Sequence, residues 1–579
     1  MRQKLLTVAA LLAALLIAAA GCRNGTQAAP PDSGTAPDGT RGTQSLTSAV
    51  PADETGDFII AENGIPVCSL VTGPGSAERT AAETVKLKLK ETLGIDLPVK
   101  NAAGDPSEPE IVIGCFVDGI PADAYPFARY GSWCVGRSGS KLVVYALDEK
   151  SYGAAAANLP AYILRSSSDG TVKLARAFYC SETNFQLPVA IPPAEGAVAS
   201  YVQPTGGSDT SKRCSQVGFR NVTGDFFDRY CEKLLSLSYG KVFENSFSSN
   251  IYRTFLKDGE MLSVGYFPSL HQMRIVSEPA PSTPVWELTS GERTGKVKLF
   301  QIEDTTKEHA SCFIVTLADG RYLLYDTGVE ATADQIYDYM QKNNRFSDGK
   351  IHIAAVIISH PHPDHMNGLA PLASKYGEKI VCDAVMYNLV SVDMQSIYGA
   401  SELNGRQNTL NGAAEKLGAK VFCLRAGQKF TLSGTDFEIL FTPDELGDFK
   451  LTGKNAAGES DTTYDMNNSC LIVRMTEGGQ ETVFTGDCRG GEADLITRMF
   501  ARGFSGDIMT VAHHGFNVTG TLWLYKTAKP RVLFWTITKD NADTSRSFVK
   551  QLRAADYVVR HFYEDTAVEI TLPYDPTAG

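Results

Sequence analysis

The sequence predicts a mixed α/β (α+β) protein built from several units. Its 579 residues exceed what one hydrophobic core usually supports. Short β-branched runs alternate with stretches of helical periodicity, and segments rich in Pro, Ala, Gly and Ser separate them. Hydrophobic residues make up 43% of the chain and charged residues 21%, which argues against a disordered or multi-span membrane protein.

The first 22 residues have the pattern of a bacterial export signal. A basic start precedes an apolar run at 5–20 that is short for a stable membrane span. The tetrapeptide Ala19-Ala20-Gly21-Cys22 resembles a lipobox, which implies that Cys22 is acylated and becomes the N-terminus. We therefore expect an extracytoplasmic lipoprotein anchored in the cell membrane; the alternative is an ordinary signal peptide with a chance cysteine. Residues 23–57 have almost no large apolar side chain and predict a flexible linker.

Residues 58–186 predict a mixed α/β accessory domain. Helical patterns at 77–93 and 152–164 enclose strand patterns at 110–114 and 141–145. This order of elements, with Gly94-Ile-Asp-Leu-Pro98 after the first helix, is similar to the accessory domain of hexosaminidases. The resemblance implies a domain that is not itself catalytic.

A second small unit follows a linker at 187–213. Within residues 214–288, a helix near 225–237 leads into aromatic, β-like segments at 242–255 and 261–266. Aromatic residues at strand spacing favour a packed core over a ligand surface. The proline-rich stretch 279–284 then separates this unit from the last one.

Residues 289–579 predict the largest unit. The predicted strands lie at 296–302, 312–317, 322–325, 353–358, 380–385, 420–423, 437–441, 470–475 and 482–485. The predicted helices lie at 332–343, 369–376, 491–502 and 545–554. Groups of strands therefore alternate with helices, as in layered α/β folds.

A cluster of metal-ligand residues follows the buried strand at 353–358. His360, His362, Asp364 and His365 lie within six residues, and His513 and His514 form a second pair. Imidazole and carboxylate together suit zinc, manganese or iron, and loops after strands are where α/β proteins place their chemistry. The pattern predicts a metal site.

The pattern resembles the signature of the metallo-β-lactamase fold superfamily. Its other motifs are matched by Tyr322 to Gly328, by Gly486-Asp487 and by His513-His514-Gly515, so the resemblance covers roughly residues 296–572. It implies a C-terminal αββα sandwich. Together with Asn467-Asn468-Ser469, these motifs are similar to the ComEC-like branch, which includes the nuclease domain of bacterial DNA-uptake channels.

The resemblance implies roles for the ligand residues. His360 and His362 share one metal, while Asp364 and His365 hold a second with either His513 or His514. Asp487 bridges both ions, and Asp364, Asp487 and His514 are the expected catalytic residues.

Two further carboxylates are expected to support the ligand set. Asp326 would hold the ligand loop, because ligating imidazoles need hydrogen-bond partners. The superfamily usually has another histidine before the bridging Asp, but this chain has none between His365 and His513. Glu445, with Asp444 behind it, is the nearest substitute. We expect a weaker first site, with Zn²⁺ as the cofactor and Mn²⁺ as an alternative.

These observations favour an exported, membrane-tethered, metal-dependent hydrolase that cleaves phosphodiester bonds with a metal-bound water. One alternative is an amide, lactone or thioester hydrolase with the same site. The other is a non-catalytic lipoprotein that binds carbohydrate or cell wall and has a degenerate metal site. Metal content and a substrate panel would separate the three.

The expected partners are a small or polymeric substrate with a hydrolysable ester and, through the lipid anchor, a membrane. The net charge of −12 argues against broad affinity for nucleic acid, although a local basic groove stays open. No pattern indicates a protein partner. The twelve cysteines show no Cys-x-x-Cys spacing, and many lie in apolar contexts, which predicts buried free thiols.

Overall fold

The computed structural model describes residues 57–578 apart from short segments. The excluded positions are 74, 115–116, 118–119, 121–131, 147–148, 168–169, 175–178, 183–190, 193, 195–196, 198, 208–213, 390–402, 448–451, 455–459, 463–465, 517–520 and 545–546. The predicted export signal, Cys22 and nearly all of the predicted linker at 23–57 lie outside the described residues. Among the helices that are described, none has both the length and the apolar content needed to cross a membrane.

The first unit contains two sheets and two helices. Its strands are β1 (Phe58–Glu62), β2 (Ile65–Pro66), β3 (Ser69–Thr72), β4 (Val99–Lys100), β5 (Glu110–Ile113), β6 (Ser132–Ser138), β7 (Lys141–Ala146), β8 (Thr171–Leu174) and β9 (Tyr179–Glu182). The sheets have the orders β2-β1-β8 and β4-β3-β5-β7-β6-β9. Helices α1 (Ser76–Leu93) and α2 (Glu149–Ser166) share one apolar core with both sheets. The elements predicted at 77–93, 110–114, 141–145 and 152–164 are confirmed.

The second unit is a six-stranded antiparallel sheet covered by one helix. Its strands are β10 (Ala199–Thr205), β11 (Cys214–Arg220), β12 (Gly240–Phe247), β13 (Asn250–Lys257), β14 (Glu260–Phe267) and β15 (Gln272–Pro279), in the order β10-β11-β15-β14-β13-β12. Helix α3 (Gly224–Ser236) begins after Thr223, whose side chain accepts a hydrogen bond from the Phe226 amide. It buries Phe227 and Leu234 in the core it forms with the sheet.

Strand β10 corrects the prediction of a linker at 187–213. Residues 199–205 pair along β11 with one register shift, so this part of the segment belongs to the sheet. Its composition misled the prediction, because Pro204 and several small polar residues interrupt any apolar alternation. Pro204 lies on an edge strand, where the missing amide donor is tolerated.

The C-terminal unit begins with the strands of a large mixed sheet, which has both parallel and antiparallel pairs. These are β16 (Lys298–Gln301), β17 (Phe313–Thr316), β18 (Tyr322–Tyr325), β19 (Ile351–Ile357), β20 (Ile380–Cys382), β21 (Ala384–Tyr387) and β22 (Lys420–Cys423). With the late strand β32 they form the order β22-β21-β19-β18-β17-β16-β32, and β20 pairs beside β19. Its helices are α4 (Thr332–Lys342), α5 (Pro363–Met366), α6 (Leu369–Tyr376) and α7 (Leu403–Leu417).

The second large sheet of the C-terminal unit follows in the chain. Its sheet contains β23 (Lys429–Leu432), β24 (Thr435–Phe441), β27 (Ile472–Glu477), β28 (Gln480–Phe484), β29 (Ile508–Thr510), β30 (Val532–Trp535) and β31 (Arg560–Tyr563), in that order. A separate ribbon is formed by β25 (Thr452–Lys454) and β26 (Ser460–Thr462), and β32 spans Val568–Thr571. Its helices are α8 (Gly490–Phe500), α9 (Thr521–Ala528), α10 (Lys539–Thr544) and α11 (Ser547–Arg553).

The two large sheets pack face to face. Their inner faces share one apolar core, in which the rings of Tyr325 and Phe484 stack with centroids 4.7 Å apart. Helices α4, α6 and α7 cover the outer face of one sheet, and α8, α9 and α11 cover the outer face of the other. This four-layer arrangement confirms the predicted αββα sandwich. The nine cysteines that the structure describes in full are free, and eight of them are buried.

The six-stranded sheet packs against the sandwich. Phe247, Tyr252 and Phe267 from that sheet share an apolar core with Phe441 and Phe500 of the sandwich. The stacked rings of Phe247 and Phe500 lie 5.4 Å apart. The second unit is therefore joined to the sandwich by a shared apolar core.

A hydrogen bond between strands β30 and β31 should be sensitive to acid. Trp535 Nε1 donates to His561 Nδ1 at 3.0 Å, which requires an unprotonated Nδ1. Burial, with Arg553 nearby, lowers the pKa of His561 to about 4. The unfolded chain binds the proton near pH 6.5, so this contribution is complete above that pH and is lost as the pH falls towards 4.

We expect His561→Gln to lose less thermal stability than the wild type between pH 7 and pH 4.5. The ring is only partly buried, so the difference should be about 1 kcal/mol. Thermal unfolding at both pH values measures it, with His352→Gln, at a half-buried histidine paired with the exposed Asp348, as the control. Equal acid losses in His561→Gln and the wild type would contradict the assignment.

Candidate metal centre

The ligand loop lies where buried strands of both sheets end. Strand β19 pairs in parallel with β18 and β21, so its carboxyl end opens at the edge of the sheet. The Ser359 carbonyl accepts from the Leu471 amide of the other sheet at 2.8 Å, which ties the two sheets together at this edge. Gly486 has φ +50°, and a Cβ there would lie 2.9 Å from Ser359 Cβ, so only glycine allows this approach.

Asp364, His365, Asp487 and His514 form the first donor group. His365 Nε2 lies 3.0 Å from Asp487 Oδ1, and His514 Nε2 lies 3.3 Å from Asp487 Oδ2. Asp364 Oδ2 lies 3.2 Å from His514 Nε2. One donor atom from each of these side chains lies within 4.8 Å of the others, so together they can surround a single cation.

His360, His362 and Asp487 form the second donor group. His360 Nε2 lies 3.7 Å from Asp487 Oδ2 and 3.0 Å from His362 Nδ1. Asp487 therefore belongs to both groups. The structure brings together the residues that the sequence pattern grouped, with the expected carboxylate between them.

The orientation of the imidazoles fits bound metal ions. His365 Nε2 and His514 Nε2 are buried and make no hydrogen bond. Their other ring nitrogens are held, since His365 Nδ1 lies 2.7 Å from Asp326 Oδ2 and His514 Nδ1 lies 3.1 Å from the Thr536 carbonyl. Nε2 of each ring can therefore bind a cation. A metal-ligating histidine usually holds a carboxylate or carbonyl with its other ring nitrogen, as both rings do here. Nitrogen and carboxylate donors of this kind suit zinc, manganese or iron.

The charges within the groups favour cation binding. Burial opposes ionisation of Asp487, but His365 and His514 lower its pKa well below the usual range. Burial also opposes the charge on His514, but Asp487 and Asp364 raise the pKa of that imidazole to about 10. A cation bound here has to replace protons on the ligands, so its affinity should rise with pH.

The structure separates His513 from His514. Both have left-handed backbone angles, φ +49° and +50°, in a turn that follows β29. Their ring centroids lie 6.2 Å apart. His514 joins the first donor group, whereas His513 Nε2 lies 3.3 Å from Asn467 Nδ2. Of the two histidines between which the sequence left the choice open, His514 is the one that places a donor atom in the first donor group.

Glu445 and Asp444 lie outside both donor groups, which corrects the expectation that they replace the missing histidine. They lie in a short turn, Pro443–Leu446, in which the Thr442 amide and hydroxyl donate to Glu445 at 2.8 and 2.7 Å. The Glu445 carboxylate lies 2.5 Å from Arg274 of the six-stranded sheet. The position of Glu445 along the chain suggested a metal ligand, but Arg274 of the second unit pairs with its carboxylate.

A third group was not found from the sequence. Asp304, His309 and Glu564 also place donor atoms within 4.8 Å of one another, and the His309 ring lies 5.7 Å from that of His514. The residues come from distant parts of the chain, and no local motif links them.

The Asp326 carboxylate contacts the ligand loop. Its carboxylate accepts from the Ser359 amide at 2.7 Å, from the Ser359 hydroxyl at 2.9 Å and faces His365 Nδ1 at 2.7 Å. It is fully buried, and burial raises its pKa. Its contacts reach the loop backbone and one ligand, so it acts through His365.

Asp326→Asn should therefore weaken metal binding by about 10- to 100-fold without removing the ligands. The amide keeps the size of the side chain but loses the negative charge that orients His365. Titration of Mn²⁺ or Zn²⁺ into metal-free protein measures the affinity, with Asp334→Asn, at an exposed partner of Lys375, as the control. Unchanged affinity in a folded Asp326→Asn protein would refute this role.

Comparison with known proteins agrees with this geometry. The sequence model of the family described as Metallo-beta-lactamase superfamily matches residues 305–405. The C-terminal half contains a metallo-β-lactamase domain. The match spans the ligand loop and Asp326, whereas Asp487 and His514 lie beyond it. Comparison with curated proteins gives no significant match.

Several solved structures resemble parts of the chain at low overall similarity. CmlA, a diiron β-hydroxylase from Streptomyces venezuelae, has 11% identity and a TM-score of 0.27, and the match covers 51% of this chain and 55% of CmlA. A Zn-dependent hydrolase of the metallo-β-lactamase superfamily from Thermotoga maritima has 10% identity and a TM-score of 0.21, covering 45% of this chain and 86% of its own. The long form of RNase Z from yeast has 10% identity and a TM-score of 0.26, covering 55% and 50%. These likenesses assign no substrate.

Proposed function

We propose that the metallo-β-lactamase domain is a metal-dependent hydrolase of phosphodiester bonds. The observation that carries the proposal is the Asp487 carboxylate, which belongs to both donor groups. A shared carboxylate is suited to hold two cations side by side. When bound, such a pair of cations supplies a water of lowered pKa and stabilises the attacking and leaving oxygens of an in-line displacement.

The protein side chains define where the substrate can reach the centre. Asp364 is the accessible member of its group, with 26% of its side chain exposed, while His365, His514 and Asp487 are buried. Substrate therefore approaches from the Asp364 side. Arg406 donates to the Pro361 carbonyl, which places a positive charge beside the ligand loop and suits an anionic substrate.

A substrate panel tests the proposal. Purified protein loaded with Mn²⁺ or Zn²⁺ is assayed on bis-p-nitrophenyl phosphate, single-stranded DNA, a chromogenic lactam and a thioester. We expect diester hydrolysis that is lost in Asp364→Asn and kept in Asp348→Asn, an exposed aspartate paired with His352.

The other outcomes favour the alternatives. Cleavage of the lactam or thioester without diester cleavage would replace the proposal with an acyl hydrolase that uses the same residues. Absence of bound metal after reconstitution would favour a carbohydrate or cell-wall binding lipoprotein. Activity on the small diester but not on DNA would agree with the net charge of −12, which opposes broad nucleic-acid affinity.

We also propose that the domain belongs to the ComEC-like branch and that it is exported and lipid-anchored. Asn467 at the His513 side chain supports the first idea, and the small residues before Cys22 support the second. The mixed α/β unit at 58–186 would then act as a non-catalytic accessory domain.

Cys22→Ala tests the anchor. The variant should lose acylation and leave the membrane fraction, because stable anchoring requires the acyl chains of a processed lipoprotein. Wild-type protein that keeps Met1 and stays in the soluble fraction of a bacterial host would contradict the proposal.

A further inference from the structure

A third cluster of donor residues lies beside the metal centre without sharing any ligand with it. Glu564 follows strand β31, and its backbone accepts from the Asp304 amide at 2.9 Å, which joins the Asp304 loop to the end of that strand. His309 Nδ1 lies 3.3 Å from Glu564 Oε1. One donor atom from each of the three residues lies within 4.8 Å of the other two.

Glu564 has an unsatisfied carboxylate oxygen. The residue is only 1% exposed, and its Oε2 is buried and has no hydrogen-bond partner. Leaving such an oxygen unpaired costs free energy comparable to a lost hydrogen bond, and more when the group is charged. A fully buried carboxylate with one open oxygen needs a proton or a cation.

Asp304 retains capacity for one more partner. Its Oδ1 accepts from the Thr306 amide and hydroxyl at 2.9 and 2.6 Å, and its Oδ2 accepts from the His309 amide at 2.8 Å. A carboxylate offers about four lone-pair sites, so these three bonds leave room for a metal ion. The same bonds hold the loop that carries His309 towards Glu564.

We propose that Asp304, His309 and Glu564 form a separate binding site for a divalent cation next to the metal centre. Two carboxylates and one imidazole make an oxygen-rich donor set, which favours a hard ion such as Mn²⁺. His309 has 28% of its side chain exposed, and this gives the ion a route from solvent. The ring of His309 lies 5.7 Å from that of His514, so the added positive charge would lie beside the first donor group.

A proton on Glu564 is the competing explanation. Burial raises the pKa of its carboxyl to about 7, even though His309 and His514 oppose that shift. A protonated Glu564 would satisfy its own open oxygen and would bind no ion. The two explanations differ in the number of ions that the folded protein holds.

Equilibrium dialysis of the full chain against Mn²⁺, with metal analysis of the protein, tests the proposal. At saturating Mn²⁺ and pH 8, we expect Glu564→Gln to bind one ion fewer than the wild type. The matched control is Glu569→Gln, a nearby glutamate in an exposed pair with Lys298, which should bind as many ions as the wild type. His309→Gln, at a more exposed position, should also lose one ion and serves if Glu564→Gln does not fold.

Equal numbers of bound Mn²⁺ ions in the wild type and in folded Glu564→Gln or His309→Gln would overturn the proposal. The comparison does not depend on catalysis, so its failure can be told apart from failure of the proposed hydrolase activity. If both variants bind one ion fewer and the wild type cleaves no diester, the third site is supported and the proposed phosphodiesterase activity is rejected.

Discussion

Asp487→Ala should remove metal from both donor groups at once and abolish hydrolysis. The carboxylate of this buried residue lies within 3.0 to 3.7 Å of a nitrogen from each of His365, His514 and His360. No other residue in the described part of the chain belongs to both groups. We expect the metal affinity of each donor group to fall by at least about 100-fold. Loss of a residue that only supports a ligand costs up to about 100-fold, and Asp487 is placed as a ligand itself.

The comparison with Asp364→Asn makes this result specific. Asp364 belongs to one donor group only, so its substitution should lower the affinity for one ion and leave the other ion bound. Asp494→Ala is the control, because Asp494 is exposed and pairs with Arg498 on helix α8. Metal analysis and titration measure both affinities. Retention of both ions in Asp487→Ala would mean that the carboxylate does not bridge the groups.

Local patterns in the sequence were sufficient to predict the ligand loop. An apolar β-branched run followed by histidines indicates a buried strand that ends in a polar loop, and β19 with His360, His362 and His365 has that form. The alternating blocks of strands and helices predicted a layered α/β fold, and the family resemblance supplied the αββα sandwich. Asp487 could be assigned only through the family resemblance, since nothing local marks it as a partner of that loop.

The sequence pattern did not reveal features that depend on backbone turns or on contacts between distant segments. Glu445 lies close in the chain to where a ligand was expected, but Arg274 from another sheet holds it away from the histidines. The choice between His513 and His514 depends on a left-handed turn that their sequence does not indicate. Glu564 lies far along the chain from His309, so only the folded structure brings the two together.

A second buried arginine, Arg425, lies where the second unit meets the sandwich. Arg425 is fully buried, and its guanidinium donates to both oxygens of Glu278 on β15 at 3.2 and 2.8 Å. It also donates to Asp444 at 2.9 Å and to the Gly206 carbonyl at 2.6 Å. The side chain therefore connects the six-stranded sheet to the turn that precedes β25.

Arg425→Met should destabilise the protein by about 3–5 kcal/mol, because removing one partner leaves buried carboxylates without compensation. Methionine fills similar space, so the loss reports the missing charge rather than a cavity. Urea unfolding followed by tryptophan fluorescence measures it, and Arg498→Met, which breaks an exposed pair with Asp494, should cost only about 0.5 kcal/mol. If Arg425→Met unfolded at the same urea concentration as Arg498→Met, then Arg425 would not hold the two units together, and the apolar contact of Phe247 with Phe500 would have to suffice.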